Sequence, residues 1–127
     1  MKFAKITFLI AGIYGLLALI PMYFMETRYG TDNPPAITHP EFYYGFIGVA
    51  VAFQIVFIII SRDPIRYRSL IGPSVVEKFS FVIAVALLVY SGRTTGQIVL
   101  GAAIDAVLGT LFTISWFKLE GRGTGDQ

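Results

Sequence analysis

Residues Gln97 to Phe117 read QIVLGAAIDAVLGTLFTISWF, twenty-one positions with a single ionisable side chain, Asp105. At about 1.5 Å of rise per residue, a helix of this length covers the roughly 30 Å hydrocarbon core of a bilayer. The apolar residues are continuous rather than alternating, so the run is a helix that satisfies its own backbone in lipid, not a barrel strand. Three more runs have this character: about residues 3–24, about 42–60, and the shortest, about 75–90. The mean hydropathy of +0.70, with ten basic and eight acidic side chains in 127 residues, is that of an integral membrane protein. The expected fold is therefore all-α, a four-helix transmembrane bundle in one domain, 1–127. It has an outer loop over 25–41 and a flexible tail over 118–127.

Lys2 and Lys5 ahead of the first run resemble the start of a signal peptide. The run is long and has no clear small-x-small cleavage pattern before Pro21, so an uncleaved anchor is expected. Four spans divide the basic residues: Lys2, Lys5, Arg62, Arg66, Arg68, Lys78, Lys118 and Arg122 on one side, Arg28 and Arg93 on the other. Excess Lys and Arg mark the cytoplasmic face, so both termini are expected there. Tyr23, Tyr29, Tyr43, Tyr44 and Tyr90 then form an outer aromatic belt, with Tyr67 and Trp116 at the inner interface.

The absence of cysteine excludes disulfides, CxxC redox chemistry, thiolate zinc sites and Cys nucleophiles. With a single histidine, His39, no metal site is expected, and no cofactor. The basic residues form no patch on a soluble surface, so nucleic acid is not an expected partner.

Three S/T-x-x-E/Q segments precede the later runs: Thr38 to Glu41, Ser74 to Glu77 and Thr94 to Gln97. Each matches a capping box, which gives Glu41, Glu77 and Gln97 a structural task at a helix start. That leaves Asp105 as the one deep acid, about 12 Å into the last helix. An intramembrane charge costs about 2.5–3.5 kcal/mol on insertion scales, so Asp105 is expected to face the bundle interior as a neutral carboxyl. Gly101, Asp105, Gly109 and Thr113 recur every four residues on one face, and small residues permit close helix approach. The first helix offers Ala4, Thr7, Ala11, Tyr14, Gly15 and Ala18. A Tyr14 to Asp105 hydrogen bond between these helices follows as an expectation. Gly45, Gly48 and Ala52 make a stripe on the second helix, and Gln54 lies away from it, toward a different neighbour or a second subunit. Asp105, Tyr14 and Gln54 are the candidate ligand-binding residues, Asp105 and Tyr14 the candidate catalytic pair. Arg62, Arg66 and Arg68 are candidate ligands for lipid phosphate.

The block ITHPEFYYGFIGVA over residues 37–50, followed by Arg62-Asp63-Pro64 and Glu77-Lys78, resembles small bacterial four-helix membrane proteins of unassigned function. In size and layout the chain is similar to the DoxX-like and BphX-like families. The resemblance implies a bacterial inner-membrane protein and an accessory of redox or quinone-linked systems. Helix count and buried acid are also similar to four-helix sterol-isomerase-like proteins. Three functions fit this reading. The first is a non-catalytic accessory or lipophile-binding bundle. The second is an enzyme transferring protons to a lipophilic substrate through Asp105, and the third is a proton-coupled small transporter working as an oligomer. The expected partners are the lipid bilayer, a lipophilic small molecule such as a quinone or lipid, and a second copy of the chain or another membrane protein.

Overall fold

The first apolar run has no proline before Pro21, and its helix is unbroken to that point. A computed structural model describes the backbone of residues 1–125 and the side chains of residues 1–120. Helix α1 covers Lys2–Leu19 and tightens into a 3₁₀ turn, Ile20–Phe24, where Pro21 has no N–H to give an α-helical ladder. A short helix α2, Glu26–Asp32, follows. Helix α3 is Pro40–Arg62, with proline at a position where the missing N–H is harmless. A 3₁₀ turn, Arg68–Leu70, leads into α4, Ile71–Tyr90, and α5 runs Gln97–Gly125. No strand occurs among the described residues. Four helical spans, Lys2–Phe24, Pro40–Arg62, Arg68–Tyr90 and Gln97–Glu120, are long and apolar enough to cross a membrane. Leu17, Leu87, Leu100 and Val107 are each at least 60% exposed, an arrangement suited to lipid and not to water.

Several sequence expectations need correction. The outer loop expected over 25–41 contains α2. The stretch expected as a flexible tail continues α5 as far as Gly125; Asp126 and Gln127 lie outside the described residues. The third span begins at Arg68 rather than near Val75, because Gly72 and Pro73 fall in the first turn of α4, where proline is tolerated. None of the three capping boxes forms as expected. His39, not Thr38, precedes α3, and makes no side-chain cap; its Nδ1 lies 3.3 Å from Glu41 Oε1. Ser74 is inside α4, its Oγ donating to Leu70 O at 2.7 Å. Helix α5 starts at Gln97 directly after Gly96, whose φ of 83° favours glycine, so Thr94 stands outside the cap position.

The helices pack as two pairs, α1 on α3 and α4 on α5; α1 also meets α5, while α3 and α4 touch more sparsely. Phe8, near the start of α1, meets Phe57 near the end of α3 and Phe112 in the second half of α5, so α1 runs against both. The central cluster, Ala4, Phe8, Ala11, Phe57, Ile60, Ile71, Phe112 and Leu119, lies toward the end of the bundle that carries the N-terminus. There the Phe8 and Phe112 rings stack at 4.1 Å and Phe57 meets Phe112 edge-on at 4.9 Å, geometries favoured by aromatic quadrupoles. The α1–α3 pair closes on glycine. A Cβ at Gly12 would come within 2.9 Å of the Gln54 carbonyl oxygen, and one at Gly15 would overlap the Gln54 carboxamide.

Candidate functional site

Glu77 and Lys78 are the seventh and eighth residues of α4, well inside the third span, and Asp105 is nine residues into α5. The α4–α5 packing brings the three together. Lys78 Nζ donates to Asp105 Oδ1 at 3.1 Å and lies 3.6 Å from Glu77 Oε2. Lys78 is 4% exposed. Its ammonium also stands 5.1 Å from the centre of the Phe57 ring, so α3 contributes a cation–π contact. Glu77 Oε2 is buried and accepts no hydrogen bond. One buried ammonium thus serves two part-buried carboxyl groups, and away from bulk water ionic attractions are strong and an unmatched charge is costly.

Gly109 explains why α4 and α5 approach closely enough for this. It lies one turn from Asp105, and a Cβ there would come within 2.8 Å of Phe79 Cε2 and 3.2 Å of Lys78 Cβ. The small-residue face of α5 therefore meets α4 at this level, not α1 as expected.

The other sequence candidates fall elsewhere. Tyr14 is 42% exposed on α1, and the expected Tyr14 to Asp105 hydrogen bond is replaced by the Lys78 contact. Gln54 is buried against Gly15 on the α1–α3 seam, with Nε2 donating to Ala50 O at 2.8 Å and Oε1 unpartnered. Asp105, Tyr14 and Gln54 make no hydrogen bond with one another among the described residues. The stripe of Gly45, Gly48 and Ala52 does not form a tight seam: a Cβ at Gly45 would meet nothing within 4 Å, and Ala52 is exposed. Arg62 and Arg66 are exposed. Arg68 is instead held on α5, its guanidinium 3.7 Å over the Trp116 ring and 3.4 Å from the Trp116 carbonyl oxygen.

Sequence reasoning missed Glu77 and Lys78 for two connected reasons. The S-x-x-E pattern reads Glu77 as part of a helix cap, and Lys78, close to the expected helix start, reads as a topology-setting charge. The available signal was Asp105 itself, since a deep acid calls for a deep cation, and Lys78 is the basic residue embedded in an apolar run. Two open grooves mark the surface. One, of about 560 Å³, is lined by Tyr23, Phe24, Glu26, Thr27, Arg28 and Tyr44. The other, of about 220 Å³, lies between α4 and α5 and is lined by Ile71, Gly72, Val75, Thr113, Trp116 and Phe117. Neither is lined by Asp105, Tyr14 or Gln54. In comparisons with known proteins, no family model, no curated protein and no solved structure matches the chain.

Proposed function

We propose that this multi-pass membrane protein binds an exchangeable proton at the Glu77–Lys78–Asp105 triad and works as a proton-coupled membrane subunit, as an oligomer or beside a partner. The observation carrying this reading is the ratio of two part-buried carboxyl groups, their side chains 18% and 20% exposed, to one buried ammonium. With all three ionised the triad has one net negative charge; one added proton makes it neutral, and neutrality is what a low-dielectric site favours. Glu77 is the carboxyl that takes the proton, because its Oε2 has no hydrogen bond to lose, whereas Asp105 is held at 3.1 Å by Lys78. Ionisable residues inside a span are expensive and characteristically belong to proton or ion pathways. The non-catalytic accessory reading makes the same triad a fixed clamp between α4 and α5.

Infrared spectroscopy separates the two. In lipid films of the purified chain, a protonated-carboxyl carbonyl stretch should grow as pH falls, shrink as pH rises, and disappear in Glu77→Gln with the helical amide bands unchanged. A triad with no such band, or one that persists in Glu77→Gln, would overturn the proton-binding reading and leave the clamp.

Orientation belongs to the same proposal. With Lys78 removed from the loop charges, the division of eight against two becomes seven against two, which still favours cytoplasmic termini. A bacterial inner membrane is the setting that the family resemblance suggests. The chain has no cysteine, so single cysteines report cleanly. In intact cells an impermeant thiol reagent should label Asp32→Cys and spare Ser69→Cys; the reverse pattern would invert the topology.

A further inference from the structure

We infer that the groove between the 3₁₀ turn that follows α1, helix α2 and the start of α3 binds an ammonium-bearing phosphodiester headgroup, the chemistry of a zwitterionic phospholipid such as phosphatidylethanolamine. Its position sets the class of ligand. Tyr23 and Phe24 close the first span and Tyr44 lies in the opening turns of the second, so the groove sits where hydrocarbon gives way to headgroups in the membrane reading adopted above. Its volume of about 560 Å³ is in the range of small-molecule sites, roughly 300–1,000 Å³.

The lining supplies both halves of a zwitterion's recognition. Glu26 is the acid in the groove, and its carboxyl faces the Tyr44 hydroxyl. It forms no ion pair among the described residues, unlike Asp32 and Glu41, which have Arg28 and His39. An ammonium at Glu26 would also meet the rings of Tyr23 and Tyr44, stacked with centroids 6.2 Å apart, and aromatic faces attract cations. Arg28, on the same wall, is tied only loosely to Asp32, with Nε to Oδ2 at 3.7 Å and a side chain 76% exposed. Its remaining donors are free for a phosphate, for which a guanidinium fork is well shaped. One acid without a cationic partner and one underused base select a headgroup with one charge of each sign. A headgroup with phosphate alone would leave Glu26 with the Tyr44 hydroxyl but no cation.

Native mass spectrometry of the full chain in mild detergent provides the test. The probes are phosphatidylethanolamine and phosphatidylglycerol with identical acyl chains, and water-soluble glycerophosphoethanolamine. Phosphatidylethanolamine adducts should survive at about tenfold lower lipid concentration than phosphatidylglycerol adducts, the scale set by one exposed ion pair plus a cation–π contact. Glu26→Gln should abolish that preference, and Tyr44→Leu should weaken it. Tyr90→Leu, at a 93% exposed position outside the groove, should leave it intact. Glycerophosphoethanolamine binding with the same dependence on Glu26 would place the recognition wholly in the headgroup; binding of the intact lipid alone would add an acyl contribution. Equal retention of the two lipids, or a preference that survives in Glu26→Gln, would overturn the assignment.

Discussion

Lys78→Met should destabilise the bundle by about 3–5 kcal/mol, the usual range when one partner of a buried ionic cluster is removed. Two carboxyl groups would then share the α4–α5 seam with no cation, where Lys78 now contacts both. Partial compensation within the membrane-embedded unfolded state should place the measured value at the low end of that range. The cause is distinguishable from simple loss of packing. Met fills a volume similar to the lysine stem, so packing beside Phe57 is largely kept while the cation–π attraction is lost, and the charge imbalance dominates. Adding Glu77→Gln and Asp105→Asn to Lys78→Met should recover most of the loss, because neutral amides can bond with each other and no charge is left unmatched. Thermal unfolding in detergent, followed by circular dichroism, would check both variants. A single variant as stable as the parent, or a triple variant no better than the single, would mean that the triad carries little of the α4–α5 stability.

The other large effect belongs to the opposite seam. Gly15→Ala, normally favourable in a helix interior by roughly 1 kcal/mol, should here be destabilising by about 1–3 kcal/mol, the cost of overfilling a packed interface. The added methyl would occupy the space of the Gln54 carboxamide, and Gln54 is 1% exposed with little room to retreat. Gln54→Ala removes the obstacle, so Gly15→Ala combined with Gln54→Ala should be more stable than Gly15→Ala alone. Additive losses in that double-mutant cycle would show that the two positions do not press on each other. Gly45→Ala is the contrast, since a Cβ there would meet nothing within 4 Å, and helix propensity alone should make that change mildly favourable.

The four spans were legible in the sequence because the bilayer imposes a length and an apolar composition that few other environments demand. Asp105 was legible for the same reason, as an exception to that composition. Its partner was not. Lys78 sits only three residues inside the expected start of the third helix near Val75, and a lysine there reads as a loop charge. Moving the helix start to Ile71 carries it about a turn deeper, into the seam. Local motifs at Ser74 and Glu77 supported the wrong start, because the S-x-x-E pattern says nothing of whether the chain is already helical upstream. The pairing of helices was also beyond reach. Gly101, Gly109, Gly45 and Gly48 all have the spacing of a packing stripe, yet only Gly109 among them sits in tight contact. Which small-residue face meets a neighbour depends on the partner's bulk at the same height, here Phe79 opposite Gly109.

The placement of the triad within a single helix pair bears on how the chain enters a membrane. Glu77, Lys78 and Asp105 all belong to α4 and α5, which are joined by only six residues, 91–96. Released one at a time from a translocation channel, α4 would carry an acid and a base and α5 a lone acid, each at about 2.5–3.5 kcal/mol near the bilayer centre. Partitioning as a hairpin, the two helices would pair Lys78 with both acids before they touch lipid and before they meet α1 or α3, leaving one negative charge for a single proton to neutralise. The short 91–96 turn is the element that holds the two charged helices close enough in the chain to insert as such a pair.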